Sequence, residues 1–214
     1  MNYQPFFKDK RVTVMGLGLL GRGVGDVAFI AEQGAQVLVT DKKTEEQLAE
    51  SVAKLRAFPN VTFVLGEHRL ADFTNTDMVI KAAGVPLNSP EIAAAKAAGV
   101  PVYMSTALAA QFAKEIGATQ VGVTGTRGKS TVSHLIRHIL KTAGKSVHLG
   151  GNVRGVSTLA TLPEIKRGDI LVLELDSWQL QGFGELKLSP HISVFTNLQP
   201  DHQNYYPDME SYFA

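Results

Sequence analysis

The sequence contains no cysteine among its 214 residues. Disulfide bonds, thiolate metal sites and a cysteine nucleophile are therefore excluded, and the composition suits a reducing compartment. The sequence also lacks any apolar run that approaches the ~18 residues of a membrane-spanning helix. Its N-terminus shows neither the apolar segment nor the cleavage site of a secretory signal. We expect a cytoplasmic protein without a membrane-embedded part.

An excess of charge of one sign is missing as well. Lys and Arg together number 21 and Asp and Glu 20, which gives a formal net charge of +1. No overall field therefore favours nucleic acid or an anionic membrane surface, and we expect neither as a partner. What the sequence does have is an apolar fraction of 44%, which is enough for a packed core in one or two domains.

Apolar, β-branched runs alternate with segments of helical periodicity. This alternation predicts an α/β fold with mainly parallel sheets and helices on both faces. The predicted strands are 11–16, 35–41, 61–67, 77–84, 100–104, 120–125, 146–151, 169–176 and 191–198. The predicted helices are 24–33, 44–58, 89–99 and 105–117, with Thr44 and Ser89 as N-caps. One more helix is predicted after 128, with an apolar face formed by Val132, Leu135, Ile136, Ile139 and Leu140.

A first glycine-rich loop, Gly16-Leu-Gly18-Leu-Leu-Gly21, follows the first predicted strand and precedes a helix. Asp41 ends the next strand, at the spacing of the acid that holds a ribose hydroxyl in dinucleotide-binding proteins. Glycines there let the backbone approach a pyrophosphate at a helix N-terminus. The same pattern also occurs in tight turns that only pack a helix on a sheet. The loop therefore predicts phosphate binding without deciding the nucleotide.

A second loop lies between a predicted strand and the helix that follows it. Its residues are Gly125, Thr126, Arg127, Gly128, Lys129, Ser130 and Thr131. Counted from Gly122, the spacing is one residue longer than in the usual Walker A pattern. Gly128 nevertheless allows backbone amides to surround a phosphate, Lys129 supplies a positive charge to the β- and γ-phosphates, and Ser130 can place a hydroxyl on Mg²⁺. The loop predicts binding of ATP with Mg²⁺.

The pattern of strands and helices restarts after Gly117. We therefore expect a Rossmann-like domain over residues 1–117 and a P-loop NTPase-type domain over residues 118–214, both with mainly parallel sheets. The sequence ends in "DMESYFA", which reads as the first turn of a helix. We expect the second domain to be incomplete at its C-terminus.

The stretch "GVTGTRGKSTV" (122–132) resembles the ATP loop of the Mur ligase family. Three more stretches match in order: "GGNVRG" (150–155), "LVLELDSWQL" (171–180) and "TNLQPDHQNYYPDMESY" (196–212). The first loop, together with "VTDKK" (39–43), resembles the uridine-nucleotide half of one branch of the family. The resemblance covers essentially all 214 residues.

The resemblance implies an ATP-dependent amino-acid ligase of peptidoglycan precursor synthesis and cell wall biogenesis. A Rossmann-like domain would hold the UDP moiety, and a central domain would bind ATP and Mg²⁺. The substrates would be UDP-N-acetylmuramoyl-L-alanine and D-glutamate, joined through an acyl phosphate by a monomeric enzyme. The family has a third domain that brings the amino acid. We expect the 214 residues alone to be inactive, because that domain would be missing.

The resemblance also implies roles for individual residues. Lys129, Glu174 and His202 would be catalytic, and Ser130, Glu174 and His202 would hold the metal. The UDP-linked substrate would be bound by Gly16, Gly18, Leu19, Leu20, Gly21, Asp41, Lys42, Lys43, Gly84, Asn152, Ser177 and Gln179. Each side chain has an alternative reading as a packed or solvated residue without a ligand.

Three residues depart from the family pattern, and they leave substrate specificity open. Arg127 stands where the family mostly has Asn, Asp176 stands where the related enzymes have Ser, and Asn204 lies in a segment that is usually closer to D-H-x-D-R. Alternatives are another amide ligase of the same family, a nucleotide-binding homologue or fragment without catalysis, or a NAD-dependent oxidoreductase built on the first loop.

Overall fold

A computed structural model describes residues 3–17, 21–201 and 208–213. Five parallel strands form a first sheet in the order β3-β2-β1-β4-β5. The strands are β1 Arg11–Met15, β2 Gln36–Asp41, β3 Val61–Leu65, β4 Met78–Lys81 and β5 Val102–Tyr103. Because the strand order reverses between β1 and β4, a crevice opens outside their carboxyl ends, where open α/β sheets bind ligands.

Four parallel strands form a second sheet in the order β7-β8-β6-β9. The strands are β6 Thr119–Thr124, β7 Val147–Gly151, β8 Ile170–Glu174 and β9 Ile192–Phe195. The strand that enters the second loop, β6, therefore lies between β8 and β9. Glu174 pairs in register with Val123 of β6 and Gly151 of β7, so it stands at the carboxyl edge beside that loop.

Helices cover both sheets. They are α1 Gln4–Phe7, α2 Arg22–Glu32, α3 Ala49–Leu55, α4 Ala71–Thr74, α5 Pro90–Ala97, α6 Ser105–Ile116, α7 Lys129–Thr142, α8 Ser177–Glu185 and α9 Met209–Phe213, with a 3₁₀-helix at Leu159–Glu164. The inner strands read as continuous apolar runs because parallel sheets are buried on both faces. Val12, Val14, Val37 and Val39 are almost fully buried.

One apolar core connects the two sheets. It extends from Phe7 and Val37 to Leu171 and Phe183, and α6 lies within it. Residues 107–110 of α6 are all buried, and three of these four are alanines, which let neighbouring elements approach closely. Helix α6 packs against the 3₁₀-helix and α8. The division into domains at 117 and 118 stays a prediction, since α6 contacts both halves.

The α/β class with two parallel sheets is confirmed. Ser89 is the N-cap of α5, and its hydroxyl accepts a hydrogen bond from the Ile92 amide at 3.4 Å. The helix predicted over 44–58 is wrong in extent. Thr44 and Gln47 exchange the reciprocal hydrogen bonds of a capping box, but residues 45–48 form only turns. The helix runs over Ala49–Leu55, with Leu48 and not Thr44 as its N-cap.

Other sequence predictions also need correction. The predicted strands 77–84 and 191–198 shorten to Met78–Lys81 and Ile192–Phe195. The predicted strand 100–104 shrinks to Val102–Tyr103; Pro101 there has no N–H for a sheet ladder. Of the five apolar residues predicted to form one face of α7, Val132, Ile136 and Leu140 pack against the second sheet. Leu135 and Ile139 are 53% and 55% exposed, because the row at i, i+4 and i+8 faces the strands and the neighbouring row turns outward.

No helix in the described ranges is long and apolar enough to cross a bilayer.

Candidate functional site

The first loop leaves β1 at the switch point of the first sheet. Gly16 has φ +88°, and a Cβ at this position would lie 2.9 Å from Cβ of Ala82, which follows β4. Only glycine therefore lets the two strand ends come this close. Gly21 is the N-cap of α2, so the end of the loop carries the unpaired amides of a helix N-terminus. The predicted binding residues Gly18, Leu19 and Leu20 lie outside the described residues.

Asp41 connects this loop to the turn after β2. One carboxylate oxygen accepts a hydrogen bond from the Leu17 amide at 2.9 Å, and the other accepts from the Lys43 amide at 2.9 Å. The side chain is buried, while Lys42 is exposed and Lys43 is half-buried. Two oxygens with about four lone-pair sites still leave capacity for a ribose hydroxyl. The acid therefore shapes the loop in addition to its predicted ligand role.

Gly84 lies in the exposed loop after β4, and a buried lysine supports that loop. The ammonium of Lys81 donates to the Val85 carbonyl at 2.9 Å and reaches the Ala83 carbonyl at 3.5 Å. Burial lowers the pKa of Lys81 to about 8, whereas Glu185 and Asp176 act in the opposite direction. Sequence reasoning missed Lys81; its signal is a cation at the end of an apolar strand.

The second loop is held from behind by the segment after β9. Gly125 has φ +124°, and a Cβ there would collide with the Thr196 hydroxyl. The Thr126 amide donates to the Asn197 carbonyl at 2.9 Å, and the Thr126 hydroxyl donates to the Gln199 carbonyl at 3.1 Å. The loop backbone is thus fixed in shape by contacts with a neighbouring segment, as phosphate recognition requires.

Lys129 begins α7 and folds across the second loop. Its ammonium donates to the carbonyls of Gly125 and Thr126 at 2.8 and 3.1 Å. Ser130 and Thr131 follow in the first turn and are exposed. The free amides and positive dipole of this helix N-terminus favour an anion. A phosphate at this position would meet the lysine and the helix end together.

Glu174 is the candidate metal ligand on the neighbouring strand. It ends β8 and is 4% exposed. A buried carboxylate is costly unless it is paired or bound to a cation, and carboxylate and hydroxyl oxygens are the ligands that Mg²⁺ prefers. Glu174 and Ser130 therefore fit Mg²⁺ by their chemistry. Within the described residues no three His, Cys, Asp or Glu side chains cluster, and His202 lies outside them, so the predicted metal set stays a prediction.

Direct contacts join the two loop regions. The Ser157 hydroxyl donates to the Asp26 carboxylate at 2.6 Å, and the Arg22 guanidinium reaches the Gly151 carbonyl at 3.4 Å. Burial raises the pKa of Asp26, while Ser157, Ser105 and Arg22 act against this effect. Asn152 follows Gly151 in the chain, and its backbone amide donates to the backbone carbonyl of Glu174 at 2.7 Å. The GGNVRG segment thus lies between the first loop and the predicted metal ligand.

A cavity of about 180 Å³ opens at this junction. Its lining comes from both halves and includes Gly16, Ala82, Asp26, Gly151 and Gln179. The structure therefore brings together the first loop and one of the predicted acceptor-substrate residues.

Asp176 and Gln179 are placed by the start of α8. Asp176 is the N-cap, and its carboxylate accepts from the Gln179 amide at 2.8 Å. Asp and Ser are about equally good N-caps, so an acid at this position suits the start of the helix. The Gln179 side chain donates to the Thr106 hydroxyl at 3.2 Å. Its Oε1 atom and the Ser177 hydroxyl are buried without a hydrogen-bond partner in the described part of the chain, which suggests a polar ligand.

The fold and the two loops define an α/β protein in which a Rossmann-like sheet precedes a P-loop-type sheet. Two family models match it: "Mur ligase MurD-like, N-terminal domain" over residues 10–104 and "Mur ligase middle domain" over residues 123–214. The chain belongs to the Mur ligase family.

Curated relatives agree with this assignment. Proteins named UDP-N-acetylmuramoylalanine–D-glutamate ligase from Roseiflexus sp. (strain RS-1) and Borreliella burgdorferi (strain ZS7) are each 40% identical to the chain, over 203 and 206 residues. These matches cover 95% and 96% of this chain and 42% and 44% of the relatives. The protein of the same name from Treponema pallidum (strain Nichols) is 37% identical over 99% of this chain and 41% of its own length. The chain thus spans less than half the length of these relatives.

Solved structures share the fold. UDP-N-acetylmuramate:L-alanyl-γ-D-glutamyl-meso-diaminopimelate ligase from Neisseria meningitides superposes with a TM-score of 0.59 and 17% identity, covering 95% of this chain and 65% of that one. UDP-N-acetylmuramate–alanine ligase from Thermotoga maritima gives a TM-score of 0.57 and 22% identity, covering 95% and 45%. At these identities the likeness concerns the fold alone.

Proposed function

We propose that the chain supplies the nucleotide-binding half of a ligase that adds D-glutamate to UDP-N-acetylmuramoyl-L-alanine with consumption of ATP. The first loop and Asp41 hold the UDP moiety, and the second loop holds Mg-ATP. The acceptor and the amino acid are taken from the names of the curated relatives.

The observation that carries the proposal is the junction between the two loops. A cavity lined by both halves extends from Gly16 to Gln179. The backbone amide of Asn152 donates a hydrogen bond to the backbone carbonyl of Glu174 at the end of β8. A substrate anchored at the first loop can therefore extend along the GGNVRG segment toward the second loop. Its carboxylate would arrive beside the γ-phosphate, which is the proximity that phosphoryl transfer requires.

The chemistry follows from this placement. A carboxylate oxygen of the L-alanine forms a bond to the γ-phosphorus while the bond to the ADP oxygen breaks. The amine of D-glutamate then attacks the acyl carbon, phosphate leaves, and the amine loses a proton. Mg²⁺ supplies charge neutralisation at the phosphates when it is bound. Lys129 orients the phosphate chain, and Glu174 and Ser130 provide oxygen ligands for the cation.

Product analysis of the complete gene product tests the proposal. We expect UDP-N-acetylmuramoyl-L-alanyl-D-glutamate, ADP and phosphate in equal amounts from the three substrates with Mg²⁺, detected by mass spectrometry. Product with another amino acid instead of D-glutamate would indicate a different amide ligase. Absence of ADP together with reduction of NAD would contradict the proposal.

A further inference from the structure

Arg127 has a rigid backbone inside the second loop. Its amide donates to the Asn197 side-chain oxygen at 3.1 Å. Its carbonyl accepts from the Thr196 hydroxyl at 2.6 Å and from the Asn197 side-chain amide at 3.1 Å. With both backbone groups engaged by the segment after β9, the loop sets the position from which the side chain extends.

The side chain itself is weakly held. It is 70% exposed, and its guanidinium lies 4.0 Å from the Asp201 carboxylate, which is 31% exposed. An ion pair with this exposure and distance contributes little, because water and salt screen it. Arg127 can therefore exchange Asp201 for a partner of higher charge.

The strand order places this cation on a particular side of the loop. Glu174 lies on β8, to one side of β6, and Asp201 follows β9, to the other side. Lys129 crosses the loop between them at the Gly125 and Thr126 carbonyls. A triphosphate chain on this loop would have the strand that ends in Glu174 on one flank and the Arg127 guanidinium, which faces Asp201, on the opposite flank.

An arginine at this position adds what Lys129 lacks. Its planar fork can donate two parallel hydrogen bonds to one phosphate, whereas the ammonium acts as a point charge. The terminal phosphate has the highest negative charge of the chain and gains most from such a partner.

We propose that Arg127 leaves Asp201 when a nucleoside triphosphate binds and contacts its terminal phosphate. This rests on the proposed function, specifically on ATP binding at the second loop. Arg127 then neutralises the flank of the γ-phosphoryl group that faces away from Glu174. Since the diphosphate lacks this group, the contact discriminates ATP from ADP.

Calorimetric titrations of the protein with Mg-ATP and with Mg-ADP test the contact. For Arg127→Asn we expect the Mg-ATP affinity to fall about ten- to hundredfold, as for one charge-assisted contact, while the Mg-ADP affinity changes less than about twofold on the same grounds. The Mg-ATP affinity of Arg127→Lys should lie between those of wild type and Arg127→Asn. The control Arg56→Asn removes a guanidinium that is 68% exposed on the first half and should change neither affinity.

The outcomes are separable. Equal loss of ATP and ADP affinity in Arg127→Asn would show that the residue only shapes the loop, and unchanged ATP affinity would show that it makes no contact; each overturns the inference. A parent protein that binds neither nucleotide overturns the inference and the proposed function together. Trapping with ADP and aluminium fluoride provides a second readout, because the mimic restores a γ-group. We expect wild type to retain ADP under these conditions and Arg127→Asn to release it.

Discussion

The Asp41 carboxylate accepts a hydrogen bond from the Leu17 amide at 2.9 Å, across 24 positions of sequence. Its second oxygen accepts from the Lys43 amide. One buried side chain thus fixes both the first glycine-rich loop and the lysine-bearing turn after β2. The two predicted contact regions for the uridine nucleotide are therefore coupled through Asp41.

Replacing Asp41 should damage binding and stability together. In Asp41→Ala the amides of Leu17 and Lys43 lose their acceptors, which costs about 1–3 kcal/mol in unfolding free energy, and UDP affinity should fall at least tenfold by the same reasoning. Asp41→Asn retains one acceptor oxygen, so its losses of unfolding free energy and of UDP affinity should be smaller than those of Asp41→Ala. Urea denaturation and UDP titration measure both quantities. The control Asp9→Asn removes an exposed acid before β1, and a similar loss in that variant would refute the role given to Asp41.

Lys129→Ala should reduce Mg-ATP affinity about ten- to hundredfold, the equivalent of one charge-assisted hydrogen bond. The fold should persist, because the side-chain hydrogen bonds of Lys129 within the described residues go to the Gly125 and Thr126 carbonyls of its own loop. Circular dichroism and ATP titration are the measurements. Lys141→Ala, at the exposed end of the same helix, is the matched control. An ATP isotherm that is unchanged in Lys129→Ala would mean that the second loop is only structural.

Lys81 should make stability depend on alkaline pH. Its pKa falls from 10.5 to about 8 on folding, so the unfolded chain binds more protons between these values and stability rises with pH across that window. The rise relative to Lys81→Met should be about 3 kcal/mol, since one pKa unit corresponds to 1.36 kcal/mol. Unfolding titrations at pH 7, 8, 9 and 10 give the profile. In the control Lys54→Met, which removes an exposed lysine paired with Glu50, the unfolding free energy should follow the same pH profile as in wild type. A difference in unfolding free energy between wild type and Lys81→Met that does not change with pH would contradict the account.

Asp26 should give the opposite dependence at acidic pH. Burial raises its folded pKa, so its stabilising contribution is complete below the unfolded pKa and is lost as pH rises through the folded pKa. Asp26→Asn keeps an acceptor for the Ser157 hydroxyl and should therefore become more stable than wild type as pH rises from 4 to 7. In Asp77 the contact with Arg11 lowers the folded pKa, so its stabilising contribution is complete above the unfolded pKa and is lost as pH falls through the folded pKa. Asp77→Asn should therefore be less stable than wild type by a nearly constant amount from pH 5 to 7, and the difference should shrink as pH falls below about 4. Thermal unfolding that shows the same trend for both variants would exclude the interpretation.

Ser157→Ala tests the junction between the two halves. The Asp26 carboxylate would lose a 2.6 Å hydrogen bond in a buried position, at a cost of about 1–3 kcal/mol. The Asp26→Asn, Ser157→Ala double variant should lose less than Ser157→Ala alone, because a neutral amide is cheaper to bury unpaired than a carboxylate. Denaturant unfolding of the three variants gives the coupling; strictly additive losses would show that the two side chains are independent.

The local features of this chain could be predicted from the sequence, and the contacts between distant segments could not. Both glycine-rich loops were placed correctly between a strand and a helix, since short-range glycine and β-branched patterns determine them. The contact of Asp26 with Ser157 joins residues 131 positions apart and leaves no sequence pattern. Helix α8 was missed because Gly182 and Gly184 interrupt its periodicity. The prediction of a buried apolar face on α7 was wrong at Leu135 and Ile139. Helical periodicity identifies the side of the helix that faces the core, but it does not show how many residues on that side contact the sheet.

Titration of the 214-residue chain with UDP-N-acetylmuramoyl-L-alanine and with Mg-ATP tests the central claim, that two loops hold two different nucleotides. We predict two saturable single-site isotherms: the first is weakened by Asp41→Ala and not by Lys129→Ala, and the second is weakened by Lys129→Ala and not by Asp41→Ala. Tight binding of NAD without any response to the uridine compound would contradict the claim, as would one site for which ATP and the uridine compound compete.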